Sequence, residues 1–373
     1  MEAEFVKILF NTFEAKPLPQ MNFTSILSSW YLINKRNLPW RTSKDPYQIW
    51  LSEIILQQTR VDQGTDYFHK FVENFPTVKD LAQASEEHVL KLWQGLGYYS
   101  RARNLHASAK IIHSSKDKFP DSRAKLLELK GVGPYTSAAI ASIAFNEPVA
   151  AVDGNVNRVI SRFFGVTDPV DSPEGKRQIL SLASEVLDEE NPGDHNQAMM
   201  DFGATQCTPK KPLCSTCPMA QECYANIKGQ TNILPLKSAK TKVISIHIDF
   251  IVFRTNNRIA AHKRTGDAIW KNLYDFPSIE SKSGTHPSIE SIGQFLENTL
   301  NIEPVVKHLN QFKHLLSHRS ITADFWEVNL DMNISFHDAD TKMYLLDDFE
   351  KLPMPRLIDK FWQTYKHSYN QAN

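Results

Sequence analysis

All four cysteines of this 373-residue chain lie between positions 207 and 223, at Cys207, Cys214, Cys217 and Cys223. Their pattern is C-x6-C-x2-C-x5-C, and no other cysteine exists to pair with them. A chain that gathers every thiol into one loop is building a metal site rather than a scattered disulfide framework. Four thiolates suit an iron–sulfur cluster or a four-cysteine zinc site. Zinc sites usually carry two short C-x2-4-C pairs, and here only Cys214/Cys217 is one. Pro209, Pro212 and Pro218 keep the intervening chain out of helix, so the loop folds around what it binds.

Bulk composition excludes several classes. Hydrophobic content of 41% and charged content of 23% are those of a globular protein, and the length allows two or three domains. The first twenty residues lack the long apolar core of a signal peptide, and no run approaches the ~18 apolar residues of a membrane span. Reduced thiols without an export signal lead us to expect a cytoplasmic setting, nucleoid-associated if the source is bacterial. The 42 basic and 42 acidic residues cancel, which leaves nucleic-acid binding open, because binding needs a basic face and not a basic total. Residues 206–242 carry six lysines and one acid, Glu222. That distribution suits phosphates near the thiol loop, or a solvated linker.

Periodicity divides the chain. Residues 23–225 read as mostly helical, with Asp45-Pro46 as a helix start and further helices over 63–74, 85–95, 101–115, 121–130, 134–145, 155–164 and 173–187. From position 243 the pattern alternates: VISIHIDFIVF, RIAAHKR and SITADFWEVNL read as strands, with helices over 288–300 and near 355–367. Residues 226–242 read as a linker. The expected fold is therefore multidomain: an all-α domain over 1–225 with its thiol loop, then an α/β domain over 243–373.

Two motifs lie between the first helices and the thiol loop. In LELKGVGPYTSAAIASIAF (127–145), Gly131 and Gly133 bracket a tight turn between two helices. Their amides can approach a phosphate closely, at the positive end of the second helix. AVDGNVNRV (151–159) follows, with Asp153 as a helix N-cap. A glycine hairpin, an aspartate in VDGNV and the cysteine series, in that order, resemble the DNA glycosylase superfamily that includes endonuclease III. The resemblance implies that 127–145 is a helix-hairpin-helix that holds the DNA backbone. It implies a [4Fe–4S] cluster on the four cysteines, and Asp153 as the active-site acid.

Within that superfamily, lyases carry a lysine in GVGxKT; here Tyr135 stands in its place, so no Schiff base can form from that position. LPWRTSKDPYQIWLSEIILQQTRVDQ (38–63), WQGLGYYSRARNL (93–105) and NQAMMDFGATQC (196–207) resemble the MutY-type adenine DNA glycosylases. That resemblance implies a monofunctional enzyme that removes adenine opposite 8-oxoguanine or guanine in duplex DNA, acting as a monomer and away from membranes. A thymine or uracil mismatch glycosylase on the same scaffold is the alternative.

The chemistry requires an acid to protonate the departing base and an anion to face the oxocarbenium ion, that is, two carboxyls in different environments. Glu53 sits among Trp50, Leu51, Ile54, Ile55 and Leu56, where desolvation should raise its pKa. Asp153, at a helix N-terminus, should stay ionised. It would act electrostatically or through a transient adduct. By resemblance, Tyr135 and Asn155 orient the two carboxyls and the water. Leu38, Trp40, Arg41 and Gln197 would line the adenine pocket. A flipped base leaves a gap to be filled, for which Gln57, Gln58, Thr59 and Tyr98, or Tyr99, are the candidates.

The C-terminal part resembles a Nudix fold. Residues 273–300 lack the R-E-x-x-E-E glutamates of a working Nudix box, so hydrolase activity is not expected. In the MutY type this domain reads the lesion. The matching loop is His314-Leu315-Leu316-Ser317-His318, with Ser317 and His318 as hydrogen-bonding candidates and Leu316 where the family usually has an aromatic.

Overall fold

The computed structural model describes residues 20–238, 243–266, 269–281, 289–300, 305–316, 319–330, 336 and 338–372. The helices are α1 (Gln20–Asn34), α2 (Pro46–Leu56), α3 (Val61–Asn74), α4 (Val78–Gln83), α5 (Glu86–Leu92), α6 (Ser100–Ser114), α7 (Arg123–Leu126), α8 (Pro134–Phe145), α9 (Gly154–Phe164), α10 (Pro173–Glu185), α11 (Pro192–Asp201) and α12 (Tyr224–Ile227). The strands and helices that follow are β1 (Ile244–Arg254), β2 (Arg258–Lys263), β3 (Tyr274–Asp275), β4 (Ser278–Ser281), α13 (Ile289–Leu300), β5 (Val306–Leu315), β6 (Arg319–Asn329), β7 (Thr341–Leu345), α14 (Leu346–Phe349) and α15 (Arg356–Ala372). No described helix is long and apolar enough to cross a membrane.

Two compact units emerge. The first contains residues up to Glu53, 120–128 and 132–238. Its core joins Phe23, Leu27 and Trp30 of α1 to Val156, Val159, Ile160 and Phe163 of α9 and Met199 of α11, and Cys207, Cys217 and Cys223 pack against the same cluster. The thiol loop is thus seated on the helix that Asp153 caps. In the segment read as a linker, Leu234 is buried, Val170 N donates to Leu236 O (3.0 Å) and Ser238 N to Asp171 (2.9 Å). That stretch is anchored along its first part.

The second unit contains residues 54–119, 129–131 and 239–373. Its sheet runs β3-β2-β1-β6-β5, with β4 also on β1 and β7 on β2. β1 and β6 pair in parallel, Asp249 opposite Asp324 and Phe250 opposite Phe325. Both faces of β1 are covered. Ile248, Phe250 and Val252 meet Leu357, Ile358 and Phe361 of α15, whereas Ile251 and Phe253 meet Ile292 and Leu296 of α13. Coverage on both sides explains why β1 reads as a nearly unbroken apolar run. α5 and α6 join the same unit: Glu87 accepts from Lys263 Nζ (2.8 Å) and Tyr274 OH (2.6 Å), Lys91 Nζ donates to Glu350 O (2.6 Å), and Tyr99 OH donates to Met354 O (2.8 Å).

Most expected elements occur near their expected bounds. The 121–130 helix shrinks to α7, because the chain then turns through Gly131 at φ +80°. α4, α11, α12, α14, β3, β4, β5 and β7 were not expected. β5 is an edge strand with six of its ten residues exposed, so its sequence (VKHLNQFKHL) carries little alternation.

Candidate active site

The first unit brings Glu53, Tyr135, Asp153 and Asn155 together. Asp45 caps α2, accepting from Tyr47 N at 3.0 Å, and the apolar residues around Glu53 leave its side chain 8% exposed. Burial pushes the Glu53 carboxyl up from 4.5 to about 7. A hydrogen bond from Tyr135 opposes the rise, and the neighbouring charge of Asp153 adds to it. The Tyr135 hydroxyl is also 3.2 Å from Met200 Sδ. Burial and the nearby carboxyls of Glu53 and Asp153 push the phenol well above its ordinary range, so it acts as a neutral donor.

Asp153 caps α9. Its Oδ1 accepts from Asn155 N (2.8 Å) and Val156 N (2.7 Å), and its Oδ2 from Asn155 Nδ2 (2.7 Å). The helix end alone would favour the anion. In the folded protein burial outweighs it, and the Asp153 carboxyl is raised from 3.8, with the bonds from Val156 and Asn155 pulling the other way. Arg158 continues this network. Its Nη2 donates to Asn155 Oδ1 (2.9 Å) and Gly203 O (2.6 Å), and its Nε to Cys207 O (2.7 Å). A π-helical turn over Phe202–Gln206 brings Gly203 against Asn155. A Cβ on Gly203 would lie 2.5 Å from Asn155 Cβ and 3.0 Å from its backbone, so glycine is required there.

Three further residues with long-range hydrogen bonds were missed in the sequence. Asn196 donates to Val149 O and Ser142 Oγ (both 2.9 Å) and accepts from Ala151 N (2.9 Å), fixing the chain before Asp153 onto α8. Asp201, 0% exposed, accepts from Arg41 Nη1 (2.7 Å) and Nη2 (2.9 Å) and from Arg36 Nε (2.8 Å). Against the opposing effect of burial, the bonds from Arg41 and Arg36 hold Asp201 below the usual carboxylate range. Both Nη atoms of Arg41 are thus committed to Asp201. The only sequence signal for Asn196 and Asp201 was their place within NQAMMDFGATQC. Leu38 and Trp40 are buried, and Gln197 is half-buried.

The third residue is Arg101, in the second unit. Its buried guanidinium donates to the carbonyls of Ile54, Ile55 and Gln57 at the end of α2 and to those of Leu96 and Gly97. It also reaches Thr59 Oγ1 (3.3 Å) and stacks over Trp93 and Tyr98. One side chain therefore clips the Gln57-Gln58-Thr59 turn to the Tyr98 loop. Gln58 (φ 57°) and Tyr98 (φ 47°) both adopt left-handed backbone, rare without glycine, and both are exposed. Tyr99, by contrast, is buried against Met354. Gly131 faces Asn104 at 2.9 Å from an added Cβ, whereas Gly133 caps α8 with open space around it. Ser317 and His318 lie outside the described residues.

The four cysteines are unbridged and line one cavity with Val159, Phe163, Phe202 and Leu213. Arg162 Nη1 lies 3.4 Å from Cys207 Sγ. Burial, and then proximity to one another, push the Cys214, Cys217 and Cys223 thiols up, Cys217 to about 11. Thiols gathered this way become thiolates only on a cation, so the donor set fits an iron–sulfur cluster.

Residues 51–186 match the HhH-GPD superfamily base excision DNA repair protein family, and residues 250–364 match the NUDIX domain. The chain is 33% identical over 348 residues to an adenine DNA glycosylase of Buchnera aphidicola subsp. Schizaphis graminum, covering 92% of this chain and 99% of that protein. It is 32% identical to the adenine DNA glycosylase of Mus musculus, covering 83% of this chain and 71% of that one. Among solved structures, a thermostable thymine-DNA glycosylase superposes with a TM-score of 0.52 at 30% identity, over 56% of this chain and 97% of that one.

Proposed function

This chain belongs to the adenine DNA glycosylase family of the HhH-GPD superfamily, and from that premise we propose that it hydrolyses the N-glycosidic bond of adenine mispaired with 8-oxoguanine or guanine in duplex DNA. The observation that carries the reading is the pair of carboxyls in unlike surroundings. Glu53 holds its proton up to about pH 7, and Asp153 takes three donated hydrogen bonds.

The proposed step begins with proton transfer from Glu53 to N7 of adenine. The N9–C1′ bond then breaks with its electron pair leaving on the base, so adenine departs neutral. The cationic sugar faces the Asp153 carboxylate, and water adds to C1′ while its proton passes to the ionised Glu53. Tyr135 steadies Glu53, and Asn155 steadies Asp153, itself held by Arg158. The position of the lyase lysine is occupied by Tyr135, so the product is an intact abasic site. Gly131 and Gly133 would contact the DNA backbone, and Gln57, Gln58, Thr59 and Tyr98 would fill the vacated stack. Leu38, Trp40, Arg41 and Gln197 stay assigned to the base pocket, Arg41 through its hold on Asp201.

Cys207, Cys214, Cys217 and Cys223 would hold a [4Fe–4S] cluster, which orders the loop and supplies no group to the hydrolysis. We assign the glycosylase part to 1–225 and the lesion-reading part to 243–373, with 226–242 between them and Ser317 and His318 as its contacts. The enzyme would work as a monomer on DNA in the cytoplasm.

A thymine-removing enzyme is the second reading, favoured by the 30% identity of 56% of this chain to a thymine-DNA glycosylase. Single-turnover assays on duplexes with adenine opposite 8-oxoguanine, beside thymine opposite guanine, decide between them. Strand scission at adenine only after alkali is expected. Scission without alkali would disprove the monofunctional assignment, and thymine removal alone would establish the second reading.

A further inference from the structure

We propose that the Nudix-like domain carries a buried site for one divalent transition cation of the zinc class, formed by His247, Asp249 and Asp324. These residues lie on one face of the parallel pair β1 and β6. Asp249 stands opposite Asp324 in the register, and His247 is two residues before Asp249 on the same face. All three are 1–4% exposed. His247 Nε2 is 3.1 Å from Asp249 Oδ2 and 3.2 Å from Asp324 Oδ2, and one ligand atom from each residue falls within 4.8 Å of the others.

The remaining oxygens are held from outside. Trp326 Nε1 donates to Asp249 Oδ1 (2.7 Å), and His308 Nε2 (2.7 Å) and Gln311 Nε2 (3.2 Å) reach Asp324 Oδ1. Gln311 also lies 3.0 Å from Asp324 Oδ2. Asp249 thus has one oxygen fixed by an outer donor, and Asp324 is held by His308 and Gln311, while Oδ2 of each lies within 3.2 Å of His247 Nε2 at a common centre; outer donors of this kind orient ligating carboxylates around metals.

Charge favours the same conclusion. Two buried carboxylates are costly unless neutralised. A divalent cation balances both and leaves the imidazole neutral, as a ligand must be. One imidazole and two carboxylates form a borderline-hard donor set suited to zinc or manganese rather than copper(I). None of these residues takes part in the proposed base excision, so this inference stands or falls separately from it.

The test uses the full chain with its iron loaded, freed of loose metal by chelator dialysis and titrated with Zn²⁺, with zinc and iron counted per chain. One zinc per chain is expected beside the iron. H247Q and D324N should weaken its binding at least about a hundredfold, and W326F about tenfold. Co²⁺ in place of zinc should give d–d bands without thiolate charge transfer, which separates this site from the cysteine loop. If H247Q or D324N does not fold, the wild-type cobalt spectrum and the W326F affinity still decide. Wild-type protein that binds no zinc, or zinc binding unchanged in H247Q, would overturn the proposal and leave a histidine held between two carboxylates by hydrogen bonds alone.

Discussion

Replacing Glu53 by glutamine should stabilise the protein at alkaline pH and not at acid pH, even as it removes activity. In the unfolded chain Glu53 ionises near its ordinary value of 4.5; in the folded protein it keeps its proton to about 7. Between those values the folded state binds more protons than the unfolded one, so stability falls as pH rises. The contribution is fully present below 4.5 and fully lost above about 7. One decade of proton affinity is about 1.4 kcal/mol, so the whole loss is about 3 kcal/mol. Because part of it has already accrued at pH 5, about 2–3 kcal/mol should appear between pH 5 and pH 8.5. Glutamine fills the same volume, accepts from Tyr135 and never ionises. The stability difference between E53Q and wild type should therefore rise by about 2–3 kcal/mol across that interval. Urea unfolding followed by tryptophan fluorescence at both pH values measures it. The single-turnover rate of the wild type should meanwhile fall about tenfold per pH unit above about 7, as expected for a required acid, and fall again at acid pH where Asp153 takes up its proton. A stability difference that does not change with pH would refute the claim that Glu53 is buried protonated, whatever the rate profile shows.

Other residues give separable outcomes. D153N should keep DNA affinity and lose about a hundredfold to a thousandfold in single-turnover rate, because its charge acts on the transition state; an unchanged rate would remove Asp153 from the mechanism. G203A forces a Cβ to 2.5 Å from Asn155 Cβ, and displacing the Asp153–Asn155 turn should cost on the order of a hundredfold in rate with binding retained, read by comparing gel-shift affinity with turnover. R101Q strips donors from five carbonyls and should lower stability by about 2–4 kcal/mol. It should also weaken base flipping, seen as reduced 2-aminopurine fluorescence on DNA binding. C214S should lose iron and the visible absorbance of the cluster, measured by metal analysis; full iron retention would exclude Cys214 as a ligand.

Glu53 and Asp153 were legible because each carries a local signal: a carboxyl on an apolar helix, and an aspartate immediately before Gly-Asn. Cys207 to Cys223 were legible by crowding alone. Asn196, Asp201 and Arg101 were not. Their partners lie 45 or more residues away for Asn196 and 160 or more for Asp201, and for Arg101 the α2 carbonyls lie 44–47 residues away. A polar residue inside a helical pattern does not announce such partners. The resemblance pointed to the segments that contain them, yet not to the bonds they make. Arg41 shows the reverse case: its segment placed it at the base pocket, while Asp201 determines where its charge is spent.

What could be read along the chain was whatever short-range chemistry dictates: helix caps, a glycine turn, strand alternation and a thiol loop with no other use. Local geometry forces these whatever surrounds them. The pKa of Glu53, the bracing of Asp153 through Asn155 and Arg158, the clip of Arg101 on Gln57 and Tyr98, and the convergence of His247, Asp249 and Asp324 came only with the tertiary structure. Each depends on burial and on partners brought close by folding, and desolvation is a property of the surroundings rather than of the residue.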